Sequence, residues 1–355
     1  MKYTMGVVVF LLCCCTASAD FCIQSFNTYG PAYASQVKMR TQLLVELFNL
    51  KTDCEVFLFQ EVWKKSHKKN LRTGLSSLSP EMSFYHGDES YRDVKTGLLM
   101  ATNFNIQENF TQLYKVFSHG AADWFRDQLG VKKAFTASTV NVVDNGMTAS
   151  IKIINTHLHH SSKVIRLAQI LELYEYMNKH QSLPIIIAGD LNTTPRSLEW
   201  KLLTRVLKVK DSHFSVYQNY QKEDCTYCHD NPLSWGGPSR VLDYVFYRSG
   251  KLVELKATES EVYPKTFKGE HLSDHYGKKI RFQLKNKSSF QTVKDSAGII
   301  SIEEEKQVLK AVKSLFLKEK SKEFQRFIEI IESRLEELGD SQYPLFADCE
   351  YALSV

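Results

Sequence analysis

The chain has 355 residues, of which 43% are hydrophobic and 12% aromatic, and its formal net charge is +5. This composition excludes a disordered or fibrous protein and is sufficient for one large core with an appendage. The modest positive charge suits an anionic partner such as phospholipid or nucleic acid, without distinguishing the two.

Residues 1–19 read MKYTMGVVVFLLCCCTASA, with a basic start, an apolar run and the small residues Ala17, Ser18 and Ala19 at the end. This pattern is typical of a secretory signal peptide, so we expect the mature chain to begin at Asp20 and to be secreted. The apolar run is too short to span a bilayer, and no later segment has the roughly 18 uninterrupted apolar residues that a membrane span needs.

The cysteines beyond residue 19 are Cys22, Cys54, Cys225, Cys228 and Cys349. An exported protein can form disulfides. Cys22 and Cys54 each open a predicted strand and can pair if the two strands are neighbours. Cys225 and Cys228 form a CxxC motif without a second pair of zinc ligands, which favours a local disulfide and leaves Cys349 as the odd thiol.

Strand and helix patterns alternate from residue 20 onward. The strand-like runs are FCIQSF (21–26), EVFLFQ (55–60), SIKIINTHLHH (150–160), LPIIIAGDLN (183–192), RVLDYVFYR (240–248) and the short run 279–284. Apolar residues at helical spacing predict helices over 37–48 and 164–177. The run 183–192 is apolar on both faces, as expected of a strand deep in a sheet. We therefore predict one α/β domain over residues 20–285.

Residues 286–297, NKSSFQTVKDSA, are polar and predict a linker. Beyond it, residues 298–355 are predicted to form a helical hairpin and tail. Ser301 and Glu304 have the spacing of a capping box, and two apolar stripes follow at helical spacing. We expect this hairpin to dock on the preceding domain or on a partner.

Polar side chains follow one predicted strand after another. They are Asn27, Glu61, His157, His159, Asp190 and Asn192, with Asp243 inside the run 240–248 and Asp274-His275 just before the last strand. In layered α/β folds such groups converge on one mouth while the apolar parts of the strands pack below. Carboxylate and amide oxygens suit Mg²⁺, and histidines can move protons. The pattern predicts a magnesium site that holds a phosphate.

Five motifs in this order resemble the signature of the endonuclease/exonuclease/phosphatase superfamily. They are FQEVW (59–63), NTHLHH (155–160), GDLNTTP (189–195), LDYVFYR (242–248) and LSDHYG (272–277). The resemblance covers about residues 21–284. It implies a four-layered α/β sandwich, in which two mixed β-sheets are flanked by helices. The C-terminal helical extension predicted above would be added to this sandwich.

Within the superfamily, the sequence is most similar to the neutral sphingomyelinases. The features that carry this likeness are Glu-Val-Trp at 61–63, the run from the histidines into a helix, DWF (123–125) followed by Lys132-Lys133, and CTYCHDNPLSW (225–235). The resemblance implies a Mg²⁺-dependent phosphodiesterase, with Mn²⁺ or Co²⁺ as substitutes. It would hydrolyse sphingomyelin or a related choline phospholipid at a membrane surface to ceramide and phosphocholine, with no stable nucleic acid partner.

Two other functions stay open from the sequence. The first is a secreted deoxyribonuclease-like endonuclease or other phosphodiesterase on the same scaffold, for which the positive charge would serve DNA. The second is a catalytically weak membrane- or protein-binding module in which the helical tail is the active part. The complete set of polar residues argues against the second alternative.

The resemblance also implies roles for individual residues. Glu61 would hold the metal, with Asn27 beside it on the metal or the phosphate. His275 would act as general base or stabilise the transition state, and either Asp243 or Asp274 would orient its ring.

The remaining implied roles concern the attacking water and the leaving group. Asp190 and Asn192 would position the water and a phosphate oxygen, while His157 would contact the phosphate or protonate the leaving alkoxide. The residues do not decide which group takes the water's proton.

Several further candidates have a structural and a functional interpretation. His159 and His160 are either surface imidazoles or part of the site, and Asp123 is either a turn residue or catalytic. Trp63, Trp124 and Trp235 pack in the core or at the rim, or insert at a lipid interface. The lysines at 64, 65, 68 and 69 form a solvated helix face or attract anionic head groups.

Overall fold

The computed structural model describes residues 18–51, 53–90, 94–116, 131–144, 146–287 and 301–340. The strands in chain order are β1 (Ser18–Asn27), β2 (Val56–Gln60), β3 (Ser83–His86), β4 (Leu99–Thr102), β5 (Asn105–Leu113), β6 (Ala134–Asp144), β7 (Met147–His157), β8 (Ile185–Asp190), β9 (Lys210–Asp211), β10 (Asp243–Arg248), β11 (Val253–Val262), β12 (Thr266–Phe267), β13 (Glu270–His271) and β14 (Lys278–Asn286).

The helices in chain order are α1 (Val37–Lys51), α2 (Lys65–Ser76), α3 (Lys163–Asn178), α4 (Leu198–Lys201), α5 (Ser212–Tyr217), α6 (Ile302–Glu319) and α7 (Gln325–Glu337). Short 3-10 or π turns occupy Gly87–Ser90, Leu202–Val206, Lys222–Asp224 and Lys322–Phe324. Among the described residues, no helix is long and apolar enough to cross a membrane.

Two six-stranded mixed sheets form the centre of the fold. The first has the order β11-β14-β1-β2-β4-β3 and the second the order β5-β6-β7-β8-β10-β9, while β12 and β13 form a small separate ribbon. One apolar cluster fills the space between the two sheets. A second packs α1 and α2 on the outer face of the first sheet, and a third packs α3 on the second sheet. The predicted four-layered α/β sandwich is confirmed.

The C-terminal helices α6 and α7 belong to the same apolar cluster as α3. Phe316 and Phe324 stack with ring centroids 5.1 Å apart, and Ile331 is fully buried beside them. Ser301 caps α6, since its Oγ accepts from the Glu304 amide at 3.1 Å. The helical extension is therefore present and docked on the α/β layers. The boundaries proposed for the linker and the tail stay predictions, because residues 288–300 and 341–355 lie outside the described part of the chain.

Each sheet contains one parallel pair of strands joined through a helix. In the first sheet β1 runs parallel to β2 through α1, with Asn27 opposite Gln60. In the second, β7 runs parallel to β8 through α3, with His157 opposite Asp190. Because the carboxyl ends of parallel neighbours share an edge, both sheets deliver polar residues to the same end of the sandwich.

The strand faces between the sheets change character along their length. Side chains alternate between the two faces of a strand, so every second residue of β1 and β8 points into the inter-sheet layer. On β1 these residues are Phe21, Ile23, Ser25 and Asn27, and on β8 they are Ile186, Ala188 and Asp190. We call the end built from residues such as Phe21 and Ile186 the apolar half, and the end that holds Asn27 and Asp190 the polar half.

Side chains of the polar half hydrogen-bond from one sheet to the other. Gln60 Nε2 donates to Asn155 Oδ1 at 2.8 Å, and Asn27 Nδ2 donates to Asp190 Oδ2 at 3.0 Å. Gly189 allows the close approach of β7 and β8, since a Cβ there would lie 1.8 Å from the Thr156 carbonyl oxygen. Its φ of +144° also favours glycine.

Both predicted disulfides are present. Cys22 and Cys54 pair because β1 and β2 are neighbours, and Cys225 pairs with Cys228 within its loop. Cys349 and residues 1–17 lie outside the described residues. Strand β1 begins at Ser18, so the signal peptide boundary proposed at Asp20 stays a prediction.

Candidate active site

The polar half ends in a cluster of side chains around one oxygen, Oδ2 of Asp190. Three nitrogen atoms converge on this oxygen, and they come from three different strands or loops. They are Asn27 Nδ2 at 3.0 Å, His157 Nε2 at 3.3 Å and His275 Nε2 at 3.7 Å. The structure therefore brings together four residues that are distant in sequence, at the end of a buried strand where the sequence pattern predicts a site.

His275 forms a dyad with Asp243. The Nδ1 atom of His275 lies 2.7 Å from Asp243 Oδ2, and both side chains are buried. The register of β10 places Asp243 directly opposite Asp190, and the loop before β14 supplies His275. Of the two carboxylates that the sequence left open as partners of this ring, the structure places Asp243 on it. An imidazole held in this way has a fixed orientation.

Asp274 faces a different part of the site. Its Oδ1 accepts from the Ser273 hydroxyl at 3.2 Å, and its carboxylate is close enough to Glu61 to interact with it electrostatically. Burial raises the pKa of Asp274 to about 7, and Glu61 adds to the shift while His275 opposes it.

Glu61 lies at the mouth, directly after β2, and is partly exposed. Its Oε1 accepts from Asn27 Nδ2 at 3.2 Å, while Asn27 Oδ1 accepts from the Tyr29 amide at 3.0 Å. The Asn27 amide group thus joins the carboxylates of Glu61 and Asp190. Its assignment as a metal ligand stays a prediction, because in this structure the nitrogen of the amide faces the carboxylates.

Glu61 and Asn192 both have left-handed backbone conformations, with φ values of 61° and 50°. Such conformations cost free energy in residues other than glycine and are often found at functional sites. The Asn192 amide donates to Asp190 Oδ1 at 3.0 Å, and its side chain donates to the Leu158 carbonyl at 3.2 Å. Asn192 therefore links the ends of β7 and β8, and its proposed contact with a phosphate stays a prediction.

The buried carboxylate of Asp190 has an unusual proton affinity. Burial raises its pKa to about 6, and Asp243 adds to this increase while His275 and Lys133 oppose it. A carboxylate with a pKa near neutrality can accept a proton from a reacting group and release it again.

The two histidines differ in charge. Burial disfavours the charged form of His275, but the carboxylates of Asp243, Asp190 and Asp274 outweigh it and raise its pKa well above the ordinary value. Burial lowers the pKa of His157, and the nearby cation Lys133 lowers it further. His275 is therefore a cation at neutral pH and His157 is neutral, so the two rings offer different chemistry.

The oxygen atoms of the site suit a hard divalent cation. Among the described residues, Asp190, Asp243 and His275 form a group of potential ligands at the site, whose ligand atoms lie within 4.8 Å of one another. In that group, however, Asp243 and His275 are already bonded to each other. The carboxylate of Glu61, which is partly exposed and lies beside the Asn27 amide, is the candidate position for such an ion.

The other candidates from the sequence have mixed outcomes. His159 is buried and its Nδ1 accepts from the Ser161 and Ser162 amides, so its interpretation as a surface imidazole is wrong. His160 is exposed. Asp123 and Trp124 lie outside the described residues. Trp63 is partly buried over Gly97, whereas the Trp235 side chain is 76% exposed.

Two supporting groups were missed from the sequence. Arg40 is buried and donates to the carbonyl oxygens of Thr28, Tyr29 and Leu272, which joins the loops that follow β1 and precede Asp274. Nothing in the pattern of α1 distinguishes this arginine from a surface residue. Gln60 and Asn155 support the site from below, and the only signal for them was that both continue the inward face of a strand.

A family model connects this arrangement with known proteins. The model described as "Endonuclease/Exonuclease/phosphatase family" matches residues 25–275, which include each residue of the cluster around Asp190. The chain belongs to this family. The assignment suggested by the five sequence motifs is confirmed.

The similar proteins within the family include enzymes named for sphingolipids. An inositol phosphosphingolipids phospholipase C of Schizosaccharomyces pombe is 26% identical over 204 residues, which are 55% of this chain and 46% of that protein. A putative neutral sphingomyelinase of Drosophila melanogaster is 23% identical over 286 residues, which are 74% of this chain and 60% of that protein. The chain thus spans about half the length of these curated relatives.

Among solved structures, a double mutant of beta toxin from Staphylococcus aureus with bound magnesium ions is similar in fold. The TM-score is 0.54 at 19% sequence identity, and the match covers 74% of this chain and 99% of the toxin. At 19% identity this likeness concerns the fold alone.

Proposed function

We propose that this protein is a divalent-metal-dependent phosphodiesterase of phospholipase C type, which hydrolyses sphingomyelin or a related choline phospholipid. The observation that carries the proposal is the convergence of Asn27, His157 and His275 on the Asp190 carboxylate, beside the Glu61 carboxylate at the mouth. The curated relatives named for sphingolipid hydrolysis support this substrate class.

The chemistry would proceed by attack of water on phosphorus. Asp190 takes a proton from the water, since its pKa of about 6 suits a base at neutral pH. The water oxygen bonds to phosphorus and the bond from phosphorus to the ceramide oxygen breaks. The proton that Asp190 took then passes through water to the ceramide alkoxide, which restores the Asp190 carboxylate. The products are phosphocholine and ceramide.

The two histidines would stabilise the phosphorus centre. The cationic His275, oriented by Asp243, offsets the negative charge that builds up on the phosphoryl oxygens. The neutral His157 would donate a hydrogen bond from Nε2 to a phosphoryl oxygen. In this structure the Nε2 atom faces Asp190.

Glu61 would hold the metal, together with Asn27, and Mg²⁺ is the ion we propose. A divalent cation there offsets charge on the non-bridging oxygens of the phosphodiester. Mn²⁺ or Co²⁺ would substitute, because they accept similar oxygen ligands.

An exposed aromatic pair near the mouth favours a lipid over DNA. Trp235 and Tyr33 are 76% and 67% exposed, and their rings meet edge to face with centroids 5.9 Å apart. The Trp235 indole donates to the Tyr29 hydroxyl, two residues from Asn27. Aromatic side chains with a polar atom prefer the interface between lipid and water. We propose a phospholipid membrane surface as the partner, with these rings in contact with it.

We also propose that the protein is secreted. The leader-like sequence of residues 1–19 supports this, as do the two disulfides, which persist in oxidising compartments. N-terminal sequencing of the protein released by expressing cells tests the proposal, with Asp20 as the expected first residue.

The decisive experiment measures phosphocholine released from sphingomyelin liposomes, and nicking of plasmid DNA, with Mg²⁺ and with EDTA. We expect Mg²⁺-dependent release of phosphocholine and no nicking. DNA nicking without phosphocholine release would replace the lipid function with the nuclease alternative, for which the net charge of +5 is the supporting observation.

Two variants test the site on whichever substrate is cleaved. Glu61→Gln should lose activity and also lose the rise in melting temperature that Mg²⁺ gives the wild type, because the bound ion stabilises only the folded state. Glu303→Gln, an exposed residue of α6, is the matched control and should behave as wild type. Full activity of Glu61→Gln would show that the proposed metal site is wrong.

The aromatic pair is tested separately. Trp235→Ala with Tyr33→Ala should lower hydrolysis of liposomal sphingomyelin about tenfold or more, and should lower hydrolysis of soluble bis-p-nitrophenyl phosphate far less. An equal loss on both substrates would contradict a role at the membrane.

A further inference from the structure

The loop of residues 225–231, which we call the CxxC loop, contacts both members of the His275–Asp243 dyad. The Cys225–Cys228 disulfide closes its first four residues, and the loop lies outside every strand that the family motifs mark. Only two residues, Thr226 and Tyr227, lie between the cysteines, and both are buried.

Thr226 binds the backbone that carries Asp243. Its hydroxyl oxygen accepts from the amides of Leu242 and Asp243, at 2.9 and 3.1 Å. One acceptor thus fixes two successive amides at the start of β10. The Thr226 and Tyr227 amides in turn donate to the Arg240 carbonyl, and the Arg240 amide donates to the Tyr227 carbonyl at 2.8 Å.

The same loop binds the segment that carries His275. The Tyr276 amide donates to the Thr226 carbonyl at 2.6 Å, and the Tyr227 ring packs edge-on against the His275 imidazole with centroids 5.2 Å apart. At the far end of the loop, Asn231 Nδ2 donates to the Ser273 carbonyl at 2.9 Å. The loop therefore joins two segments that are otherwise separate in the chain.

The Asp243 carboxylate depends on this support. Its Oδ2 meets His275 Nδ1, but its Oδ1 is buried and has no hydrogen-bond partner among the described residues. With one side-chain bond on one oxygen, the orientation of the carboxylate follows the backbone of residues 242–243, and Thr226 holds that backbone.

We propose that the Cys225–Cys228 disulfide holds Thr226 and Tyr227 as a clamp that positions the His275–Asp243 dyad, so that turnover depends on this disulfide. The inference rests on the proposed phosphodiesterase activity but not on the identity of the substrate. Thr226 acts as a positioning residue, through Asp243. A misplacement of reacting groups by about 1 Å can cost about 100-fold in rate.

The two disulfides should differ in their access to reductants. Cys225 is partly exposed, whereas Cys22 and Cys54 are both buried. Dithiothreitol reduces a disulfide by giving it two electrons and two protons, which yields two thiols and the cyclic disulfide of the reagent. The clamp should therefore open before the Cys22–Cys54 bond.

The first test uses substitutions at Thr226, assayed on bis-p-nitrophenyl phosphate as well as on sphingomyelin. Thr226→Val keeps the shape and removes the acceptor, and we expect kcat to fall about 10- to 100-fold with little change in KM. Thr226→Ser keeps the hydroxyl and should retain most of the activity. Equal losses in the two variants would overturn the proposal.

The second test uses the cysteines. Cys225→Ser with Cys228→Ser should lower kcat as Thr226→Val does and should be insensitive to dithiothreitol. Cys22→Ser with Cys54→Ser, assayed well below its melting temperature, is the control and should keep both its activity and the sensitivity to dithiothreitol. Full kcat in the Cys225→Ser, Cys228→Ser variant would overturn the proposal.

A measurement without substrate separates this inference from the proposed function. Amide hydrogen exchange of the wild type should become faster in residues 240–243 and 273–278 after mild reduction, with no change at the β1–β2 pair. If no phosphodiester is cleaved at all, the proposed function fails, yet this exchange pattern still supports the clamp. Unchanged exchange in both segments after reduction would overturn it.

Discussion

The two halves of the inter-sheet layer are built on the same strands but differ in the side chains that they bury. In the apolar half, residues such as Ile186 and Phe282 pack without polar atoms, and their burial stabilises the fold. In the polar half, the carboxylates of Asp190, Asp243 and Asp274 are buried side by side, and burial raises the pKa of two of them, Asp190 and Asp274. The comparison indicates that stability is supplied by one end of the layer and chemistry by the other.

The largest expected effect comes from the polar half. His275→Ala should lower kcat/KM about 10²- to 10⁴-fold, because it removes the cation that Asp243 orients. The melting temperature should also fall, because the buried carboxylates of Asp243, Asp190 and Asp274 lose the cation that offsets their charge. Steady-state kinetics and thermal unfolding on the same sample provide the check. An unchanged kcat/KM would contradict the assignment of the chemistry to the polar half.

The matching change in the apolar half is Phe282→Ala. Phe282 is fully buried and packs on Phe21 and Tyr247. The unfolding free energy should fall by about 3–5 kcal/mol, while kcat measured at low temperature stays near that of the wild type. Phe282→Leu should give a smaller loss and keeps the test usable if the alanine variant fails to fold. Denaturant titration measures both.

A smaller effect on stability, a gain instead of a loss, is expected from substitution of Asp190. Burial raises its pKa from 3.8 to about 6, so the charged form is less stable in the fold than in the unfolded chain. The contribution to stability is present below the lower value and is lost as pH rises through the higher one. Asp190→Asn should therefore stabilise the metal-free protein by about 2 kcal/mol at pH 7 while activity is lost. Destabilisation in EDTA would contradict this view of the polar half.

The smallest effect concerns His67, which supports the mouth from α2. Burial lowers its pKa from 6.5 to about 4, with Arg40 adding to the decrease. The unfolded chain binds the proton first, so stability is complete above pH 6.5 and is lost as pH falls through 4. Between pH 6.5 and 5.5 the loss should be about 1 kcal/mol.

Denaturant titrations across this pH range check that loss. His67→Gln should flatten the decline, whereas substitution of the exposed His229 by Gln should leave it unchanged. If the two variants behave alike, the buried imidazole of His67 does not account for the loss of stability at low pH.

Much of the layout could be predicted from alternation in single strands. The run 183–192 predicted a buried strand that ends at Asp190, and β8 is that strand. The capping of α6 by Ser301 and the pairing of Cys22 with Cys54 could be predicted for similarly local reasons. These features depend on residues that are close in sequence or on adjacent strands. The hydrophobic periodicity of such segments can be observed directly in the sequence.

Other features could not be predicted because they depend on contacts between distant segments. The choice of Asp243 over Asp274 as the partner of His275 follows from the register of β10 against β8. The burial of Arg40 follows from two loops that meet over α1. The burial of Arg40 could not be predicted from residue type, because arginine is usually exposed.

The sequence by itself determined the α/β order, the polar strand ends and the ordered motifs of the family, because hydrophobic period and residue type are written along the chain. The tertiary structure alone decided that three nitrogens converge on Asp190 Oδ2 and that a disulfide loop touches both members of the dyad. Those contacts arise from strand register and loop packing, which join residues between 17 and 163 positions apart and leave no periodic trace in the sequence.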